Sequence, residues 1–493
     1  MISAVPLKIL FVSPEVVPFA KTGGLADVAG SLPKALKNLG CDVRLVMPLY
    51  HSIRVGDYPL EKIFDNLPIP LARHEIPADI YKGELEEGIP VYFIERDEFY
   101  DRDHLYGTAK GDYFDNDARF VYFARGTLRV AQALGFKPDI VHGHDWQCGL
   151  VPADIHFRRP ADPFFQHTAS VFTIHNIAYQ GSFSPEIVEL AGLPWDSFSP
   201  SGLEFWGKAN LLKAGIVYSQ IINTVSRKYS QEIQTEEFGC GLEGVLHYRR
   251  DDLFGIVNGV DYDLWNPETD AYLAAPYNSE NLSGKKVCKK DLLAQFHLPE
   301  DRLAFPVLGI ISRLADQKGF DLLAAVMDRL LQEEVSLVIL GTGEEKYHRL
   351  FTQLVEKNPR KIGLRLAFDN ALAHKIEAGS DIFLMPSLYE PCGLNQIYSL
   401  KYGTIPIVRA TGGLDDTIIP YDPSTGEGTG FKFSAYQPEE LWMAIQKALL
   451  IYTDEVHWLR LQKNAMSTDF SWEASAREYL KLYYLALERM TKF

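Results

Sequence analysis

Short runs of β-branched and aliphatic residues alternate with longer amphipathic stretches along most of this chain. Ile9–Val12, Val43–Met47, Val91–Ile94, Ile140–His142 and Val171–Ile174 read as strands in the first half. Val307–Ile311, Ser336–Leu340, Ile382–Met385 and Ile405–Val408 read the same way in the second. The runs are continuously apolar rather than alternating, which is the pattern of parallel strands covered on both faces. Helical periodicity falls between them, over Leu25–Asn38, Asp117–Leu134, Leu322–Gln332 and Leu441–Leu449. Repeated β-then-α predicts a doubly wound α/β architecture. The rhythm breaks between Asn258 and Pro306, and a fresh βα series begins at Val307. Two α/β lobes are therefore expected, with the chain crossing between them near Leu253–Val257. A final helix is expected from Ser471, whose hydroxyl is placed to cap it.

A chain of 493 residues, 46% hydrophobic and 23% charged, can bury large cores without disulfide or metal staples. The formal net charge of -16 argues against a general polyanion binder, because nucleic acid rewards clustered cations. A small anionic ligand needs only a few local cations and stays open. The basic stretch Lys285-Lys286-Val287-Cys288-Lys289-Lys290 reads, in so acidic a chain, as a solvated helix face. The five cysteines, Cys41, Cys148, Cys240, Cys288 and Cys392, are widely spaced and form no C-x-x-C pair. A disulfide framework or zinc ribbon is not expected, and a reducing compartment is. The apolar run near the N-terminus is shorter than a signal-peptide core, and no run reaches the ~18 residues of a membrane span. The expected location is the cytoplasm.

Four constellations carry candidate chemistry. Lys21-Thr22-Gly23-Gly24-Leu25-Ala26-Asp27 opens the helix after the first strand, and Thr411-Gly412-Gly413-Leu414-Asp415-Asp416 opens a short helix late in the chain. Glycine lets backbone N–H groups approach an anion, and a helix N-terminus adds partial positive charge. One such turn is also ordinary packing. Two, one per lobe and one beside Lys21, point to an anion held between lobes. Neither is a dinucleotide fingerprint: Gly341-Thr342-Gly343 is followed by Lys346 where a third glycine belongs, and no Walker A motif occurs.

The second constellation is Ser312-Arg313-Leu314-Ala315-Asp316-Gln317-Lys318-Gly319, directly after a strand, where open α/β sheets bind ligands. Arg313 and Lys318 suit a diphosphate, as a bidentate fork and a mobile charge, or else decorate a solvated loop. The third is Tyr389-Glu390-Pro391-Cys392-Gly393-Leu394-Asn395. Glu390 can accept hydrogen bonds from sugar hydroxyls, balance a developing positive charge, or cap a helix. Cys392 has no sequence-local base and reads as a packed or ligand-lining thiol, not a nucleophile. The fourth is His142-Gly143-His144-Asp145-Trp146-Gln147 with Thr173-Ile174-His175-Asn176. Metal binding, carbohydrate binding and structural histidines all compete here. No further ligand stands at a recognisable spacing, so no metal is predicted. Trp146 offers a sugar an apolar platform, and Asp145 and His175 can bond its hydroxyls.

Together these motifs, with Ile177-Ala178-Tyr179-Gln180-Gly181 and Asn258-Gly259-Val260-Asp261, resemble the bacterial glycogen synthase and plant starch synthase family over nearly the whole chain. That pattern often has alanine where Gly143 stands and a second histidine where Gln147 stands, departures that touch the acceptor side. The resemblance implies two Rossmann-like lobes facing a deep interdomain cleft, the GT-B arrangement. Residues 1–253, completed by a helix over 471–493, would form the acceptor-side domain, and residues 254–470 the nucleotide-sugar-binding domain. It implies a retaining glucosyltransferase that needs no cofactor, with ADP-glucose as donor and the non-reducing end of glycogen or a malto-oligosaccharide as acceptor. Neither nucleic acid nor membrane is implied as a partner.

By motif match, the catalytic residues implied are Glu390, His175, Lys318, Arg313 and Asp145. Lys21, Arg313 and Lys318 would hold the diphosphate, helped by N–H groups of Gly23, Gly24, Gly412 and Gly413. Glu390 and His175 would contact the glucosyl unit, and Asp145, Trp146, Asp27 and Tyr106 would line the sugar and acceptor side. Asn176, Asn258, Gln317, Cys392, Gly393, Leu394 and Thr411 complete the implied substrate-binding set. Physical chemistry alone does not choose ADP over UDP, so UDP-glucose is the alternative donor. A non-catalytic glucan- or nucleotide-binding protein is the alternative class, against which the joint presence of Lys21, Arg313, Lys318 and Glu390 argues. An NAD-dependent oxidoreductase lacks its glycine fingerprint.

Overall fold

The computed structural model describes residues 6–108 and 110–490. Met1–Val5 of the N-terminal segment and the last three residues of the expected final helix lie outside the described residues. Two units form: residues up to Gly259 together with those from Trp472 onward, and Val260–Ser471.

The first unit is built on a nine-stranded sheet. In chain order its strands are β1 (Lys8–Val12), β2 (Asp42–Pro48), β3 (Glu61–Leu71), β4 (His74–Leu85), β5 (Ile89–Glu95), β6 (Ile140–His144), β7 (Ala169–Ile174), β8 (Ile221–Thr224) and β9 (Leu253–Gly255). Their spatial order is β9-β8-β7-β6-β1-β2-β5-β4-β3. Seven strands are parallel, and β3 and β4 add an antiparallel hairpin at one edge. Five of the seven parallel strands, all but β8 and β9, are those the apolar runs announce, because a strand covered on both faces has no polar side. The hairpin escapes that signal. It carries Pro68, Pro70 and Pro77 and charged residues on an exposed edge, where proline and charge are tolerated.

Helices α1 (Gly24–Asn38) and α2 (Asn116–Ala133) belong to this unit, as does the C-terminal helix Trp472–Met490. That helix is tied to the sheet by polar contacts as well as packing. Tyr479 Oη accepts from Asn223 Nδ2 at 3.0 Å, Tyr483 Oη lies 2.9 Å from His142 Nδ1, and Ser475 Oγ donates to Val257 O at 2.8 Å. A Cβ on Gly259 would stand 2.5 Å from Trp472 Cα, so only glycine lets the departing and returning chains pass there. β9 pairs with β8, which keeps Leu253–Gly255 in the first sheet. The chain therefore leaves this unit after Gly259, later than the apolar rhythm suggests.

The second unit carries six parallel strands: β10 (Val307–Ile311), β11 (Ser336–Leu340), β12 (Ile362–Arg365), β13 (Ile382–Met385), β14 (Ile405–Arg409) and β15 (Phe431–Phe433). Their order is β12-β11-β10-β13-β14-β15, that is 3-2-1-4-5-6 in chain sequence, the doubly wound order. Alternate residues of β10, β11 and β13 serve opposite cores. Leu308, Ile310 and Ile339 pack with Leu323 and Val326 on one face, while Val307, Val338 and Phe383 pack with Leu292 and Ile376 on the other. Each such side chain contributes about 1.5–3 kcal/mol on burial.

The lysine-rich segment lies in α3 (Ser283–Gln295), and it is not simply a solvated face. Lys285 and Lys289 are buried. Lys285 Nζ donates to Ala378 O, Tyr402 O and Thr404 Oγ1, and Lys289 Nζ lies 2.8 Å from Asp381 Oδ2. Their long stems reach through the apolar layer to buried carbonyls and a carboxylate, adding to the bonds these acceptors take from Tyr277 Oη and Val307 N.

Candidate active site

In the second sheet β10 pairs with β11 on one side and β13 on the other, so the winding reverses between β10 and β13. Loops leaving the carboxyl ends of two such strands part to opposite faces and open a crevice. Here those loops are residues 312–319 and 386–394. Lys318 Nζ lies 2.6 Å from Glu390 Oε2, and Ser387 Oγ donates to the same oxygen at 3.2 Å. Gln317 ties the loops together. Its carbonyl accepts from Leu388 N at 2.8 Å, its Nε2 donates to Tyr389 O at 3.1 Å, and its Oε1 accepts from the exposed Arg313 Nη2 at 3.2 Å. Glu390 is buried, and a carboxylate held out of water needs such partners. Gly319 takes a left-handed turn (φ 72), and a Cβ there would meet Pro386 O at 2.0 Å.

The turn at α7 (Gly412–Thr417) packs on the same loop. A Cβ on Gly412 would fall 1.8 Å from Glu390 O, and one on Gly413 would fall 2.2 Å from Cys392 O. Gly413 N–H donates to the carbonyls of Glu390 and Pro391 at 3.2 and 3.1 Å. The second Gly-Gly pair thus buttresses the Glu390 loop, and its Gly413 N–H is committed to backbone carbonyls. Thr411 is the residue before this helix and is buried. Cys392 is buried too. Its carbonyl and that of Gly393, which has φ 71, both accept from Gln396 Nε2 at 3.0 Å. Leu394 precedes α6 (Asn395–Lys401). α4 and α5, at Phe320–Leu330 and Asn370–Gly379, complete the scaffold under these loops.

In the first sheet the reversal falls between β1 and β6, and the loops leaving them carry the other motifs. Asp145 follows β6 with φ 55, a conformation unusual for a residue with a side chain. Its Oδ1 accepts the His175 N–H at 2.7 Å. Burial pushes its carboxyl up to about 7, with Glu15 adding to the rise and the N–H groups of His175 and Asn176 opposing it. His144 Nδ1 lies 3.0 Å from His175 Nε2, and His142 Nε2 lies 2.7 Å from Thr173 Oγ1. Burial pushes His142 and His175 down to about 3 and His144 well below the usual imidazole range. Among the described residues no group of three or more His, Cys, Asp or Glu side chains could hold a metal ion.

Glu15, which the motifs did not single out, organises the loop after β1. Its Oε2 accepts from Thr22 N at 2.5 Å and Gly23 N at 3.3 Å, and its Oε1 accepts from Thr22 Oγ1 and Tyr106 Oη at 2.6 Å. The signal was present: a lone carboxylate in the mostly apolar stretch Ser13-Pro14-Glu15-Val16-Val17, just past a buried strand. A Cβ on Gly23 or Gly24 would stand clear of all other atoms by 4 Å, unlike one on Gly412. The two glycine pairs look alike in sequence and differ in their surroundings. Lys21 Nζ lies 2.7 Å from Asp27 Oδ1, and burial raises the Asp27 carboxyl against the pull of that lysine.

A family profile described as starch synthase catalytic domain matches residues 8–248, and one described as glycosyl transferases group 1 matches residues 299–465. The glycogen synthase of Koribacter versatilis is 49% identical over 477 residues, 97% of this chain and 98% of that protein. The glycogen synthase of Thermotoga maritima is 46% identical over 490 residues, covering 98% and 100%. The chain belongs to the glycogen synthase and starch synthase family.

The solved structures agree with this membership. The catalytic domain of starch synthase IV from Arabidopsis thaliana, bound to ADP and acarbose, matches with a TM-score of 0.89 at 34% identity, covering 98% of this chain and 100% of that one. A sucrose-phosphate synthase from Thermosynechococcus elongatus matches at TM-score 0.59 and 17% identity over 98% and 99% of the two chains, a likeness of fold alone. The fold is the two-domain α/β GT-B type, and the protein is a glucosyltransferase of the glycogen synthase family. The first profile falls inside the first unit and the second inside the second. No helix among the described residues is long and apolar enough to cross a membrane.

Within this glycogen synthase fold the expected site residues are placed unevenly. Arg313 bonds Gln317 and Lys318 bonds Glu390 on two neighbouring loops, while Asp145 and His144 both bond His175, and the His142 ring lies 4.1 Å from that of His144. Asn176 Oδ1 accepts from Ala178 N at 3.0 Å and shapes the loop after His175. Asn258 is buried beside the exit from the first unit. Trp146 does not offer the open platform expected of it. It is 8% exposed, with Phe120 and Phe183 at ring distances of 4.9 and 5.7 Å. A Cβ on Gly181 would lie 2.3 Å from its ring. An indole bordered by so many apolar neighbours packs as core.

Proposed function

We propose that this protein transfers glucose from ADP-glucose to the non-reducing end of an α-1,4-glucan, with retention of anomeric configuration and release of ADP, in the cytoplasm. The observation that carries the reading is the Lys318–Glu390 contact at 2.6 Å beside Arg313 and Gln317, at the point where the second sheet reverses its winding. The starch synthase IV catalytic domain, bound to ADP and acarbose, supports a nucleoside diphosphate donor and a glucan-like acceptor.

The roles follow from charge. Breaking the anomeric C–O bond builds positive character on the sugar and negative charge on the departing diphosphate. Arg313 and Lys318 are assigned the diphosphate oxygens, and Lys21 in the first unit an anionic oxygen. These cations act more strongly as the bond breaks than before it, which is what accelerates a reaction. Glu390 is assigned the glucosyl hydroxyls and the compensating negative charge. Asp145 and His175, fixed to one another through the His175 N–H, are assigned the sugar near its anomeric carbon. His175 is held neutral, so it can donate or accept a single hydrogen bond without adding charge. Retention by a front-face path needs no protein nucleophile: the departing phosphate oxygen takes the acceptor's proton as the new C–O bond forms.

The test is donor competition. Purified protein with glycogen, in buffer containing EDTA, is offered ADP-glucose and UDP-glucose together. Glucan-dependent ADP release exceeding UDP release at least ten-fold is expected. Faster turnover of UDP-glucose would replace the donor, and no glucan-dependent release from either would leave the non-catalytic reading.

A further inference from the structure

A small antiparallel sheet in the first unit ends in an aromatic side chain that the proposed reaction does not use. Its strands are Ser182–Phe183, Lys208–Asn210 and Glu204–Phe205, with Lys208–Asn210 in the centre. Phe205 pairs with Lys208, so Trp206 and Gly207 form a two-residue hairpin loop. Both have positive φ, 55 and 76. Two-residue loops of this kind match the twist of the strands and favour Asn-Gly, because the left-handed conformation crowds a Cβ. Tryptophan is among the least suitable residues there. Nor does it recover the cost by packing: Trp206 is 85% exposed. A bulky side chain held in a strained conformation and left in solvent is unexplained by folding, and strain of this kind gathers where function needs it.

The hairpin is rigid at its base and connected to the candidate active site. Gly207 N–H donates to Glu204 Oε1 at 2.7 Å. Asn210 Nδ2 donates to Gln180 Oε1 at 2.7 Å, and Gln180 Nε2 donates to Cys240 O at 3.0 Å. The N–H groups of Leu211 and Leu212 donate to the carbonyls of Gly181 and Gln180, both at 3.0 Å. The hairpin is thereby fixed to the segment that begins at His175 and Asn176. Gly241 approaches the same aromatic pair, since its Cβ would come within 3.0 Å of Phe205 Cζ and 3.8 Å of Trp206 Nε1.

We propose that Trp206 is a glucan-docking platform, its indole face stacking on a glucosyl ring of the α-1,4-glucan acceptor away from the reacting end. The proposal rests on the glucan-acceptor reading above. A pyranose ring presents a patch of C–H groups about the size of one indole face, with hydroxyls at its rim. The half-buried Glu204 and the exposed Lys208 stand on the strands that enter and leave the loop and offer polar groups for such hydroxyls. A protein partner needs roughly 1,000 Å² of buried surface, and a single indole supplies at most about 250 Å². The platform that Trp146 was expected to provide is thus assigned to Trp206.

The test uses Trp206→Asn, which removes the ring and relieves the strain, so the fold is kept, and Trp206→Tyr, which restores a ring. Affinity electrophoresis through glycogen, with no nucleotide sugar, is expected to show at least a five-fold weaker retardation for W206N and near-complete recovery for W206Y. With ADP-glucose, the KM for glycogen rises at least five-fold in W206N, and less for maltotriose. Unchanged glycogen retardation in W206N overturns the proposal. So does a loss of glycogen binding that W206Y fails to restore, or concentration-dependent self-association that W206N abolishes while glycogen binding persists. The electrophoresis reads binding without turnover, so its result stands apart from any failure of the donor assignment.

Discussion

Lys318 and Glu390 neutralise one another at 2.6 Å, with Ser387 as the carboxylate's further donor. In the proposed reaction each turns to a different part of the substrate, the lysine to a departing phosphate and the carboxylate to the sugar. Removing either therefore takes away an interaction that strengthens as the glycosidic bond to phosphate breaks. By analogy with a lost oxyanion donor, each is worth about 2.7–4 kcal/mol, or roughly 100- to 1,000-fold in turnover. Lys318→Ala and Glu390→Ala are each expected to lower kcat for ADP release by that factor, with an unchanged far-UV circular dichroism spectrum. A near-normal rate in either variant would remove that residue from the catalytic set. The same site shows what the sequence conceals at this scale. Arg313, Lys318 and Glu390 stood out because their side chains match a chemistry, and folding sets them on two neighbouring loops. Glu15 was not, because its partners Thr22, Gly23 and Tyr106 meet it only after folding, up to 91 positions away. Trp146 misled because an indole beside Asp145 reads as sugar-binding until Phe120, Phe183 and Gly181 are seen around it.

The two glycine pairs separate a local pattern from its tertiary use. Gly23-Gly24 and Gly412-Gly413 both open helices, but only the second has a loop laid against it. Gly412→Ala would set a methyl group 1.8 Å from Glu390 O at a backbone with φ 45. The Pro391 loop must then move, at a cost of about 1–3 kcal/mol typical of overpacking. Gly24→Ala meets nothing within 4 Å and stands in a helix, where alanine is favourable. Thermal denaturation is expected to show Gly412→Ala several degrees below the parent and Gly24→Ala unchanged or higher. Equal shifts would mean that the two turns do the same structural work. Apolar strands were readable for the same reason that this difference was not: a doubly covered strand is defined by its own residues, whereas a glycine's necessity lies in whatever approaches it. The edge hairpin of β3 and β4 and the short β8, β9, β12 and β15 went unread because each borrows its register from a neighbour. The inward-facing Lys285 and Lys289 went unread because a long stem disguises a buried head group.

For the molecule as a whole, the buried ionisable groups of the first unit set opposing responses to acid. His142 and His144 are fully buried, and burial holds both far below the imidazole pKa of an unfolded chain. Their contribution is present above about pH 6.5 and is lost as pH falls, because the unfolded chain then binds protons that the folded one refuses. Asp145 has the opposite sign. Its carboxyl is raised from 3.8 to about 7, so between those values the folded chain holds a proton that the unfolded chain has released. Its contribution is complete below the lower value and is lost as pH rises through the upper one. His175, held down to about 3, has the same sign as the other two histidines. Over pH 4.5 to 6.5 these three histidines outnumber the one carboxyl, and this cluster loses stability on acidification by about 1.4 kcal/mol per pH unit for each net proton. Two variants then move the slope in opposite directions. Asp145→Asn removes the opposing proton and should steepen the fall in urea midpoint from pH 6.5 to 4.5. His144→Phe removes one of the three imidazoles, keeps a ring against Phe11, and should flatten it. The measurement is the difference in slope from the parent, which cancels the carboxylates elsewhere on the surface. Both variants shifting the same way would show that the proposed sugar-binding cluster does not hold its charges as described, and with it that His175 does not approach the sugar as a neutral ring.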